Sequence, residues 1–201
     1  MSSLKESLKT TDAVRYGLAY FFLKFTVISL LLWLPLFMKE ELKFDAVLIA
    51  YIASAHEVGT IIGGPLLGYI SDRSYSKRAP ISTIAVISGS FFLVYLTFNH
   101  NSISKWAFGF LLFVIGLSLG ALSHIISITI PSDLGYQVRD GKIVHKISSI
   151  TGVIDGIGSL GTAIGQLVIG FTSEELGWRY GYLFVITILT VLTLLPLFNI
   201  F

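Results

Sequence analysis

Gly68-Tyr69-Ile70-Ser71-Asp72-Arg73-Ser74-Tyr75-Ser76-Lys77-Arg78, or GYISDRSYSKR, packs one acid and three bases into a short link between two apolar stretches of membrane-crossing length. So short a link makes the flanking helices antiparallel neighbours. Asp72, Arg73, Lys77 and Arg78 can therefore pair across the helix ends at one membrane face, where the dielectric is low enough for pairing to matter.

Outward from this link the chain is mostly apolar. Of 201 residues, 54% are hydrophobic and 13% charged, too little polarity to cover a soluble surface. The expectation is an all-α membrane protein. Runs of about 20 residues, enough to cross a hydrocarbon core of roughly 30 Å, lie near Tyr16 to Met38, Asp45 to Ser71, Ala79 to Phe98, Ile103 to Ile130, Ser148 to Phe171 and Trp178 to Asn199. This divides the chain into a polar segment, 1–15, and a six-helix transmembrane unit, 16–199. The first span is too long and too aromatic for a cleaved signal peptide. With no cysteine there is no disulfide framework and no thiolate metal site.

Orientation follows the bases, since short loops rich in Lys and Arg stay cytoplasmic. Lys5, Lys9, Arg15, Arg73, Lys77, Arg78, Arg139, Lys142 and Lys146 fall on the face of the N-terminus, against Lys39, Lys43, Lys105 and Arg179 opposite. Six spans then place both chain ends in the cytosol.

Three charges remain inside the spans: Lys24 in the first, Glu57 midway along the second and Asp155 near the start of the fifth. Each costs roughly 2.5 to 3.5 kcal/mol at the bilayer centre unless it pairs or meets water. A structural ion pair, or a Lys24 that snorkels to the headgroups, is one reading. A polar cavity is the other. Ser148, Thr151, Asp155, Ser159, Thr162 and Gln166 recur at steps of three or four, one stripe of a helix that lipid would not tolerate. Hydroxyls packing helix to helix would explain Ser and Thr, but not Asp155 together with Gln166.

Glycines spaced by four (Gly59 and Gly63, Gly64 and Gly68, Gly116 and Gly120, Gly152 and Gly156, Gly161 and Gly165) let backbones approach closely. His56 adjoins Glu57, and His124 shares a face with Gly120 and Ser127. No spacing brings a third ligand beside either, so no metal site is expected. Both are open to a proton-carrying role or to plain polar packing. His100 and His145 read as loop residues without a signal.

GYISDRSYSKR resembles the signature between the second and third helices of each half in the major facilitator superfamily. It has Tyr75 where glycine is usual and Ser76 where a base is usual, and it keeps Asp72 and Arg73. Lys24 followed by Leu31-Leu32-Trp33-Leu34-Pro35, the run Glu57-Val58-Gly59-Thr60-Ile61-Ile62-Gly63-Gly64, and Ile154-Asp155-Gly156-Ile157-Gly158-Ser159-Leu160-Gly161 are similar to the seventh, eighth and eleventh helices of the superfamily's eukaryotic sugar-phosphate exchangers. Pro131-Ser132-Asp133-Leu134-Gly135 resembles the end of their tenth. The resemblance covers roughly residues 16 to 180.

It implies the second half of a transporter built from two six-helix halves around a midplane site. The chain would then be a fragment or truncated product, or pair with another half; Met1 and a polar start resembling an interhalf linker favour a fragment. It also implies that Lys24 holds the substrate phosphate, as a point charge rather than a bidentate guanidinium. Glu57, Asp155, Ser159 and His124 complete the expected substrate site, and the Asp72, Arg73, Lys77 and Arg78 cluster is expected to act as a conformational clamp. The expected substrates are a sugar phosphate or other organic phosphate and inorganic phosphate, exchanged by alternating access across a lipid bilayer. The endoplasmic reticulum membrane is the location the resemblance implies.

No cofactor and no nucleic acid partner is expected. Six-span serine proteases need a Gly-x-Ser-Gly turn and a histidine on a later helix, and aspartyl intramembrane proteases need two membrane aspartates; both requirements go unmet, so the chain is expected not to be an enzyme. A channel lacks its signatures too. The alternative kept open is a truncated relative that binds or regulates without transporting.

Overall fold

The computed structural model describes residues 11–73, 78–139, 142–145 and 147–200. Helices α1 (Thr11–Glu40), α2 (Ala46–Arg73) and α3 (Arg78–Asn99) come first. Then follow α4 (Lys105–Gly135), strands β1 (Tyr136–Arg139) and β2 (Lys142–His145), α5 (Ile147–Gly177) and α6, residues 178–198. Helix α1 starts at Thr11, several residues before the expected span. The hairpin, paired antiparallel from Tyr136↔His145 to Arg139↔Lys142, stands where a plain loop is expected between the fourth and fifth spans. Of the bases assigned to the cytoplasmic face, Lys5, Lys9, Lys77 and Lys146 lie outside the described residues.

Among the described residues, five helical runs are long and apolar enough to cross a membrane, where six spans are expected. The fifth, Ile147–Phe198, takes in 52 residues and holds both α5 and α6. No loop divides it, because the helices meet at one residue: Gly177, at φ 74 and ψ 174, a conformation open essentially to glycine alone. The chain turns back there. Thr172 Oγ1 donates to the Gly181 carbonyl at 2.6 Å, whereas nine residues of straight helix would hold them roughly 13 Å apart.

Ring contacts tie one end of the bundle together. Phe37 near the end of α1 meets His100 after α3, Phe108 at the start of α4, and Trp178 and Tyr182 at the start of α6. His100 sits in the turn after α3, as expected of a loop residue, yet it is buried, with Nδ1 against the Thr97 carbonyl at 3.1 Å. Between the ends, Leu23 and Leu30 of α1, Leu93 of α3, Leu112 of α4 and Ile186 of α6 are fully buried.

Two seams depend on missing Cβ atoms. A side chain at Gly59 or Gly63 of α2 would run into the backbone carbonyls of Phe113 or Leu117 on α4, and one at Gly161 of α5 into that of Phe21 on α1. At Gly64, Gly68, Gly152 and Gly156 an added Cβ would meet nothing. Leu32, Ile61, Phe91, Leu167 and Phe171 are exposed, a covering suited to lipid.

Candidate functional site

The α1/α5 seam positions the charged pair. With Gly158, Gly161 and Gly165 of α5 seated on Tyr20, Phe21 and Phe25 of α1, the polar stripe of α5 faces Lys24. The Lys24 ammonium donates to Asp155 Oδ1 at 2.7 Å and to Ser159 Oγ at 3.1 Å, and it lies 5.2 Å from the Tyr20 ring centre. About a fifth of the Lys24 side chain is exposed, against half of Asp155. Farther along the stripe, Gln166 Oε1 accepts from Trp33 Nε1 at 2.6 Å.

Lys24 also lines a cavity of about 220 Å³ between α1, α2 and α4, with Tyr20, His56, Glu57, Thr60, Ser123 and His124 on its walls. Glycines on α4 allow this approach, since a Cβ at Gly116 or Gly120 would strike the His56 carbonyl or the Thr60 hydroxyl. Two wide π-type turns, Gly116–Gly120 and Ile125–Thr129, bracket the stretch carrying Ser123 and His124; such turns re-aim side chains and recur at functional sites. Glu57 does not reach Lys24. Its Oε1 lies 3.0 Å from Nδ1 of His56, a residue that is itself almost fully buried.

The expected substrate-site residues thus fall around one ammonium: Asp155 and Ser159 bond to it, and Glu57 and His124 share its cavity. Tyr20, Thr60 and Ser123 join them without having been singled out, being residue types too common in helices to stand out. A cation with bonding partners beside a partly apolar cavity can hold a small anion.

At the opposite end from the ring cluster, Asp72 pairs with Arg78 rather than with its neighbour Arg73. Arg78 Nη1 donates to Asp72 Oδ1 at 2.7 Å, and Arg78 Nε donates to Asp133 Oδ2 on α4 at 2.8 Å. Arg73 turns to the Tyr69 hydroxyl at 2.7 Å. Lys77 lies outside the described residues.

Residues 3–139 match the family described as Major Facilitator Superfamily. The chain belongs to that superfamily. Its similarity to curated relatives narrows the kind: it is 33% identical to Sugar phosphate exchanger 3 of Mus musculus over 186 residues, 92% of this chain and 37% of the relative. Identity to the Bos taurus protein of that name is 34% over the same shares. Glucose-6-phosphate exchanger SLC37A2 of Xenopus laevis matches at 27% over 90% of this chain and 36% of the relative. Within the Major Facilitator Superfamily, a family of transporters, the chain is thus similar to sugar-phosphate exchangers. With its apolar helices it is a multi-pass membrane protein. It spans a little over a third of the length of these relatives.

Proposed function

We propose that the chain supplies the C-terminal half of a transporter that exchanges a sugar phosphate or other organic phosphate for inorganic phosphate by alternating access. The observation that carries this reading is the Lys24 ammonium at a partly apolar cavity, held by Asp155 and Ser159. A phosphate entering the cavity competes with Asp155 for Lys24 and accepts from Ser159, exchanging one counter-ion for another without stranding the cation in the membrane. Glu57 and His124 face the rest of the anion. No covalent step occurs.

Transport needs a second half. α1 to α4, α5 and α6 make six crossings in this reading, with the turn at Gly177 separating the last two and both chain ends on the cytosolic side. Six crossings form one wall of a midplane path. When the halves rock, the Arg78 bonds to Asp72 and Asp133 break and reform, the clamp of this half. The endoplasmic reticulum membrane is the location we assign, by analogy with the sugar-phosphate exchangers. A second reading keeps the same cavity as a receptor site, in a relative that binds the anion without moving it.

The test is phosphate exchange in proteoliposomes holding the chain together with a matching first half. Lys24→Ala should cut exchange about 10- to 100-fold, the worth of hydrogen bonds to a charged group, while membrane insertion persists. Unchanged exchange sinks the assignment. Phosphate binding that depends on Lys24, with no flux even in the two-half protein, selects the non-transporting relative.

A further inference from the structure

A larger cavity lies apart from the one at Lys24. A groove of about 420 Å³ runs between α2 and α4 at the end where α4 begins. Tyr51, Val58, Trp106 and Phe110 line its walls, Gly109 forms part of its floor, and Lys105 stands at its mouth. It lies on another face of α2 from Glu57. Tyr51 and Val58 fall roughly 100° or more around the helix from that residue at 100° per position.

We infer that this groove is a binding site for one acyl chain of an anionic phospholipid, with the headgroup phosphate on Lys105. Three features converge on that occupant. First, the lining from Leu48 to Val58 descends ten residues of helix, about 15 Å from the helix end toward the hydrocarbon, and is apolar but for Ser54 and the Tyr51 hydroxyl. Ser54 turns its hydroxyl back onto its own helix, to the Ala50 carbonyl at 2.8 Å. Such a lining takes a methylene chain and gives a sugar or a soluble anion little to bond below the mouth. Second, Trp106 is 85% exposed and Tyr51 72%. Large amphipathic rings near helix ends mark headgroup depth, so they set the groove mouth at the height of a lipid phosphate.

Third, the charge fits. Lys105 opens α4, beside the Ser104 hydroxyl that accepts from the Ala107 amide. Its ammonium lies 5.5 Å from the Phe44 ring centre, and among the described residues no carboxylate pairs with it. The acid closest in sequence to that ring, Asp45, instead accepts from the Leu48 amide at the start of α2. An unpaired cation at the mouth of an apolar groove selects a lipid with net negative charge over a zwitterionic one.

The experiment is native mass spectrometry of the chain extracted in a mild detergent. Phosphatidylglycerol and phosphatidylcholine of matched acyl length are added separately, and inorganic phosphate is added as a competitor. One interfacial Lys is worth about fivefold in occupancy in favour of phosphatidylglycerol. That preference should fall to about onefold in Lys105→Ala and return in Lys105→Arg, while Gly109→Phe, which fills the groove, should lower the occupancy of both lipids. Inorganic phosphate should leave phosphatidylglycerol bound, which separates this site from Lys24. Equal occupancy by the two lipids in the unaltered chain overturns the inference. So does a preference that survives Lys105→Ala, loss of phosphatidylglycerol to free phosphate, or a groove found covered by a second copy in a dimer that carries no lipid. Melting by tryptophan fluorescence checks that each variant is folded, and the Lys105→Ala and Lys105→Arg pair decides if Gly109→Phe is not.

Discussion

Lys24 already has a counter-ion, and that shapes what a substrate must do. Asp155 neutralises the ammonium at 2.7 Å, so in the proposed exchange a phosphate has to outcompete a carboxylate before it is held. Asp155→Asn keeps an acceptor for Lys24 but removes the competing charge. Phosphate affinity should therefore rise about tenfold, or about 1.4 kcal/mol, read by titration of the purified protein. Weaker binding in Asp155→Asn would mean that the aspartate helps to hold substrate and does not compete with it. A second residue-scale test concerns Arg78, which divides Nη1 and Nε between Asp72 and Asp133 with its side chain mostly buried. A lysine cannot reproduce that fork, so Arg78→Lys should lose about 1 to 2 kcal/mol in thermal unfolding. Arg73→Ala, which among the described residues gives up an exposed contact to Tyr69, should stay within about 0.5 kcal/mol. The reverse ranking would return the clamp to Arg73. Lys24, Asp155 and Ser159 could be read from sequence because charge is rare inside apolar spans and helical spacing puts Asp155 and Ser159 on one face. The partners of Arg78 and Glu57 could not. Asp133 comes 55 residues after Arg78, and only the folded positions of α1 and α2 decide that Glu57 meets its own neighbour His56 and not Lys24.

Helices were legible element by element wherever a polar loop separated them. At α5 and α6 helix continues through the polar Thr172-Ser173-Glu174-Glu175 and divides at Gly177, and α1 reaches back to Thr11 through residues too polar to read as span. The β1/β2 hairpin gave little sign of itself, since its strands are four residues each and a lone hairpin that short has little stability of its own. The turn at Gly177 yields a direct test of six crossings. The chain has no cysteine, so a single introduced one reports alone. Glu175, Asn101 and Ser132 are all exposed. In sealed vesicles a membrane-impermeant thiol reagent should label Glu175→Cys from the same side as Asn101→Cys, and Ser132→Cys from the other. Labelling of Glu175→Cys together with Ser132→Cys would mean that residues 147–198 do not cross twice.

Across the whole molecule, the open glycines and the site residues point the same way. Gly64 and Gly68 lie seven and eleven positions beyond Glu57 on α2, and Gly152, Asp155, Gly156 and Ser159 cluster within one side of α5. An added Cβ at any of these four glycines meets nothing. The helix faces that carry the proposed anion-binding groups thus have open space beside these glycines, and they are lined with the small residues that permit close helix contact. A second six-helix half seated there would close the cleft over Lys24. The buried glycines behave differently, because Gly59 and Gly116 sit against backbone of this same chain. Gly59→Ala and Gly116→Ala should each cost about 1 to 3 kcal/mol in thermal unfolding of the chain alone. Gly64→Leu and Gly152→Leu should leave that stability within about 0.5 kcal/mol, yet lower exchange at least about tenfold once the first half is present, as an overpacked interface forces the halves apart. Full exchange in both leucine variants would make these faces lipid-facing and place the second half elsewhere.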